Sequence, residues 1–231
     1  MRVDFLLFDD FITYVNQNTF AMKPFQIFAS SMFFVFCFAT AVYGQSWAVG
    51  LHFGENLSTL QGNAKTDYLP GFMGGLHASH YLTENLVLRL EANFERKGTR
   101  IEGLNPNPDP GAPEFVDDFR FDYLSLPVML RYSMGKKAKF VVGGGASVDY
   151  LIRQRTDYGE LTINEIGDYR RFDSDLVGTV GGAIPFGEKW TFSLEMRALW
   201  GLVRVEKPGG LAPELGRNLS WGLMAGVNYY L

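Results

Sequence analysis

Charged side chains recur at alternate positions along this chain. Arg89, Glu91, Glu95 and Lys97 share one segment, Glu195 and Arg197 another, and Arg131, Asp149 and Arg153 fall in segments between them. On a β-strand such spacing puts the charges of each segment on one face. Glu91 and Glu195 are the residues to consider as acids for hydrolysis. With cations and carboxylates mixed on the same faces, mutual pairing explains them better. A charge-selective pore is the other reading, but it needs an open cross-section. His52, His77 and His80 raise a metal or catalytic reading. His52 and His77 are predicted inward on adjacent strands, whereas His80 has the opposite parity from His77, and no spacing fixes a third coordinating carboxylate. The expectation is therefore no catalytic residue, no metal and no cofactor, with the nine charges named above forming a structural network.

Other chemistries are excluded more simply. Cys37 is the single cysteine and lies in an apolar run from Phe25 to Val42 that follows Met22-Lys23, the pattern of a signal peptide. Cleavage is expected after Gly44, so residues 22–44 are the signal, 45–231 the mature domain, and 1–21 an extension ahead of the true start. The residues before Cys37, Phe34-Val35-Phe36, do not suit a lipoprotein signal. A mature chain without a thiol forms no disulfide and no Cys-based site. Gly143-Gly144-Gly145 falls inside a strand pattern rather than before a helix, and no nucleophile elbow appears. The formal net charge of −4 shows no basic stripe, which argues against nucleic acid.

The elements that must carry these residues have period two. From Trp47 onward the apolar signal alternates in segments near the length of tilted membrane-crossing strands. Eight strands are predicted, at 46–57, 70–82, 86–98, 119–133, 139–153, 172–186, 190–203 and 219–231. Three short connections (83–85, 134–138, 187–188) alternate with four long ones (58–69, 99–118, 154–171, 204–218). Outer-membrane barrels show this rhythm, with brief periplasmic turns and longer outer loops. The prolines in Asn105-Pro106-Asn107-Pro108-Asp109-Pro110-Gly111 lack amide donors, so that stretch should be solvated loop.

Which face meets what decides between membrane and water. Phe192, Leu194, Met196, Ala198, Trp200 and Leu202 oppose Thr191, Ser193, Glu195, Arg197 and Gly201. Leu86, Leu88, Leu90, Ala92 and Phe94 likewise oppose Arg89, Glu91, Asn93, Glu95 and Lys97. A soluble barrel would turn the apolar face inward. Here Gly143, Gly145, Gly181 and Gly222 would leave such an interior nearly empty. A lumen only wide enough for side chains is better filled by small residues and paired charges. The fold class is therefore all-β, an eight-stranded antiparallel up-and-down transmembrane barrel, hydrophobic side outward. Trp47, Tyr81, Tyr132, Trp190, Trp200, Trp221 and Tyr229 are candidates for interfacial girdles.

Several segments resemble the PorT-like outer-membrane β-barrel proteins of the Bacteroidetes type. They are Gly50-Leu51-His52-Phe53-Gly54-Glu55-Asn56-Leu57-Ser58, Pro70-Gly71-Phe72-Met73-Gly74-Gly75-Leu76, Leu82 through Glu91 ending at Lys97-Gly98, and Tyr123 through Tyr132. The family is similar to small barrels of the OmpA and OmpX type. The resemblance implies outer-membrane lipid and the barrel-assembly machinery as partners, and its named member is associated with type IX protein secretion. Barrels of this kind favour a final aromatic residue; this chain departs, closing on Tyr229-Tyr230-Leu231.

The expected function is a non-enzymatic barrel in the cell outer membrane, exported by a cleaved signal peptide and engaging envelope proteins through its long loops. A lipid-modifying enzyme and a component of a type IX secretion apparatus are the alternatives.

Overall fold

A computed structural model describes residues 47–62, 66–102, 116–158, 161–163, 166–208 and 215–231. The predicted signal peptide, the upstream extension, Cys37 and the proline-rich stretch 105–111 lie outside the described residues. Strands β1 (Trp47–Gln61), β2 (Thr66–Tyr81), β3 (Leu86–Glu102), β4 (Val116–Met134), β5 (Lys139–Tyr158), β6 (Leu161–Ile163), β7 (Phe172–Phe186), β8 (Trp190–Arg204) and β9 (Arg217–Tyr230) pair in the order β4-β3-β2-β1-β9-β8-β7-β5-β6. A further pairing of β4 with β5 closes the ring. Every barrel pairing is antiparallel, and β6 is a short addition to the far end of β5. The eight-stranded up-and-down barrel is thus the fold, and closure leaves it no free edge.

Turn chemistry fixes the short connections. Thr83 accepts at its hydroxyl from the amides of Asn85 (3.3 Å) and Leu86 (3.0 Å), making a local turn between β2 and β3. Gly135 and Gly187 take φ of 115° and 75° in the next two short connections, a region open to glycine and costly for other residues. At the opposite end the strands outrun their predicted bounds. The stretch expected as a long loop at 58–69 is mostly paired, because β1 continues to Gln61 and β2 starts at Thr66.

Side chains on the barrel's outside form one apolar band. On β5 it runs from Phe140 through Val142, Val148 and Tyr150 to Ile152, all exposed. At ~3.3 Å per residue and ~40° tilt this is roughly 30 Å along the barrel axis, near the ~25 Å of a membrane barrel's apolar belt. Leu76 and Leu126 are 67% and 60% exposed, and so much contiguous apolar surface finds a favourable solvent only in lipid. Trp47, Tyr132, Trp190 and Tyr229 stand at the short-turn end, Trp200 and Trp221 toward the other. Tyr81 does not join the girdle: it shares the inward parity of His77 and Ser79, and its hydroxyl bonds Tyr230 at 3.0 Å.

Above the band the pattern inverts. Outward positions become charged: Arg96 pairs with Asp122 (2.7 Å), Arg100 with Asp118 (2.8 Å) and Arg120 with Asp118 (3.0 Å) and Asp157 (3.2 Å). Inward positions become apolar, and Leu60, Ile101, Phe119, Phe121, Tyr123, Leu151, Tyr169, Val205 and Leu215 pack into one buried cluster. The outer end of the barrel is built like a water-soluble protein, with polar residues outside and a hydrophobic plug within.

Candidate functional site

The strand alternation that lines the band with leucine sends the charged residues into the lumen, where they form two clusters. In the first, nearer the short turns, Arg197 donates to both oxygens of Glu91, at 2.7 and 2.8 Å. Arg131 lies 2.5 Å from Glu195, which also accepts from Thr179 at 3.1 Å. Arg89 stands 3.7 Å from Glu195 and 3.9 Å from Glu91, and donates to Ser79 (3.1 Å) and Asn228 (2.9 Å). Glycines make room for these side chains. A Cβ on Gly143 would fall 2.8 Å from Arg131 Cγ, and one on Gly50 would fall 2.5 Å from His77 Nε2.

The two lumenal histidines join this cluster. Asn228 Oδ1 takes the Arg89 proton, so His77 Nε2, 2.7 Å away, must also be a donor. With both rings neutral, His77 accepts at Nδ1 from His52 Nδ1, 3.1 Å away, and His52 Nε2 carries no proton, 3.6 Å from Glu91. Neither imidazole bonds a serine hydroxyl among the described residues. His80 stays outside the lumen, its ring 4.7 Å from that of Trp47.

The second cluster lies toward the outer end. Lys97 Nζ meets Asp149 at 2.7 Å, Glu95 at 3.4 Å and Asp175 in a close contact, with the Tyr123 ring 5.2 Å away. Oxygens of Glu95, Asp149 and Asp175 lie within 4.8 Å of one another, a spacing that could hold a metal ion. The Lys97 ammonium already stands among them and supplies the positive charge. Met73, Met129, Val177, Leu199 and Met224 form a further buried apolar cluster among the inward side chains.

The lumen therefore holds Arg89, Glu91, Glu95, Lys97, Arg131, Asp149, Glu195 and Arg197. Arg153 is a correction: it is exposed. Tyr123 pairs with Leu151 and Asp122 with Arg153, so Ile152 is an extra residue that shifts the register. Such a bulge moves all later side chains to the other face, and Gln154 and Thr156 take the inward places. Sequence reasoning passed over Asp175 and the aromatic plug. Asp173 and Asp175, two apart between the outward Phe172 and Leu176, carried the signal for the first.

Residues 41–205 match the family described as outer membrane protein beta-barrel domain, a span reaching through β8 and leaving only the closing strand beyond it. The chain belongs to this family and is an outer-membrane protein. It is similar in fold to the crystal structure of Neisserial surface protein A, with a TM-score of 0.51 and 16% identity over 80% of this chain and 97% of that one. It is similar also to the outer membrane protein OprG from Pseudomonas aeruginosa, with a TM-score of 0.50 and 12% identity over 81% of this chain and 97% of that one. No curated protein matches the chain by sequence.

Proposed function

We propose that this protein is a non-enzymatic envelope barrel whose outer connections engage other envelope components. The observation that carries this reading is the engagement of four lumenal carboxylates: Glu91 is held by both arms of Arg197, Glu195 by Arg131, and Asp149 and Asp175 by Lys97. A general acid or base needs a proton-accepting position open to substrate. These groups are committed to closing the barrel, and the plug seals the end nearest the outer loops. The PorT-like segments support placing the chain in that branch of outer-membrane barrels, with the barrel-assembly machinery and surrounding lipid as its obligatory contacts. Export by the signal at 22–44 belongs to the same reading.

The test has two arms. Cross-linking in intact cells followed by purification should recover a discrete envelope partner, and secretion-complex components there would favour a type IX role. Mass spectrometry of outer-membrane lipid should be the same with and without the protein; a lipid species that appears only with active protein would overturn the non-enzymatic reading.

A further inference from the structure

In the first charge cluster Arg89, Arg131 and Arg197 stand against Glu91 and Glu195, with Glu95 also acting on Arg197, and Lys139 adds a fourth cation at the barrel's short-turn mouth. Lys139 has no carboxylate within 4.0 Å among the described residues. Arg89, Arg131, Lys139, Thr191, Ser193 and Tyr230 are among the residues lining a cavity of about 40 Å³ for water centres, room for roughly three waters. The Nε of Arg131 is buried and has no hydrogen-bond partner, although the side chain is only 6% exposed. An orphaned guanidinium N–H on a side chain that lines the cavity calls for an acceptor.

The hydroxyls at the mouth point the same way. Tyr81, Tyr230 and Thr191 form a chain through contacts of 3.0 and 3.4 Å. Two hydrogen bonds use two of their three protons, so one remains to donate elsewhere.

We propose that this mouth is a binding site for a small soluble oxyanion with the charge and size of phosphate, approached from the short-turn side. The anion would take the Arg131 Nε–H and the Lys139 ammonium. The pocket lies inside the barrel wall, so the ligand is free in solution rather than a lipid headgroup.

The experiment is a calorimetric titration of inorganic phosphate into the refolded barrel in detergent micelles, with ionic strength held constant by sodium chloride. Saturable one-to-one binding is expected. Lys139→Gln removes a charge-assisted bond from a half-buried residue at a strand end and should weaken binding roughly tenfold, while Lys136→Gln, on the exposed turn, should leave it unchanged. Arg131→Gln should abolish binding; circular dichroism establishes whether this variant folds, and Lys139→Gln decides the matter if it does not. Absence of saturable binding would overturn the proposal. So would equal affinity in Lys139→Gln and the parent, or equal losses in Lys139→Gln and Lys136→Gln.

Discussion

At the scale of single residues, Lys97 holds the outer charge cluster together. Its ammonium is the only cation in contact with Glu95, Asp149 and Asp175 among the described residues. Removing one partner of a buried ionic group leaves charge uncompensated and costs about 3–5 kcal/mol. Lys97→Met should therefore lower stability by about that amount in urea titrations of the micellar protein. Adding Asp175→Asn should recover part of the loss, because one repelling carboxylate is gone; an additive double mutant would show that the two do not interact. Much of this network was legible, since alternation alone sends Arg89, Glu91, Glu95 and Lys97 to one face. Arg153 was not, because the extra residue at Ile152 has no signature of its own in a run of aliphatic and charged residues. The placement of His52 and His77 inward on adjacent strands was legible too, whereas the bond that orients the His77 ring was not, because its partner Asn228 lies 151 positions away.

At the scale of the strands, the same alternation carries two opposite meanings along one element. On β4, Leu124, Leu126, Val128 and Leu130 face outward while Asp118 and Arg120, on the same face, stand in water and pair with charges. Alternation alone puts the apolar residues outside throughout. That holds only where lipid lies outside; beyond it Phe119, Phe121 and Tyr123 turn inward as in a soluble core. Two substitutions separate the zones. Leu126→Arg places a guanidinium within the lipid band and should cost about 2–4 kcal/mol. Arg120→Leu, at the water-facing level, loses only surface ion pairs and should change stability by about 1 kcal/mol or less. Both are read from unfolding in lipid vesicles. Phe121→Ala, in the plug, should cost about 3–5 kcal/mol through the cavity it leaves, with the apolar band unaffected.

At the scale of the whole molecule, the barrel is closed by hydrogen bonds around its circumference and filled along its axis. Two charge clusters, buried methionines and the aromatic plug occupy an interior that eight strands make barely wider than its own side chains. Reconstituted protein should give no steady large conductance in planar bilayers; sustained porin-like currents would show that the interior opens. Unboiled protein should migrate faster in a detergent gel than boiled protein, because the closed ring resists unfolding by detergent alone. The most direct test of the central claim is spin-label accessibility. Residues 45–231 contain no native cysteine, so in a barrel expressed from residue 45 Leu126→Cys and Arg120→Cys can each carry one nitroxide on the same outward face of β4, in vesicles. Relaxation by oxygen should dominate at position 126 and relaxation by a water-soluble nickel complex at position 120. A label at 126 shielded from both, or reached mainly by the nickel complex, would contradict an outward apolar belt in lipid.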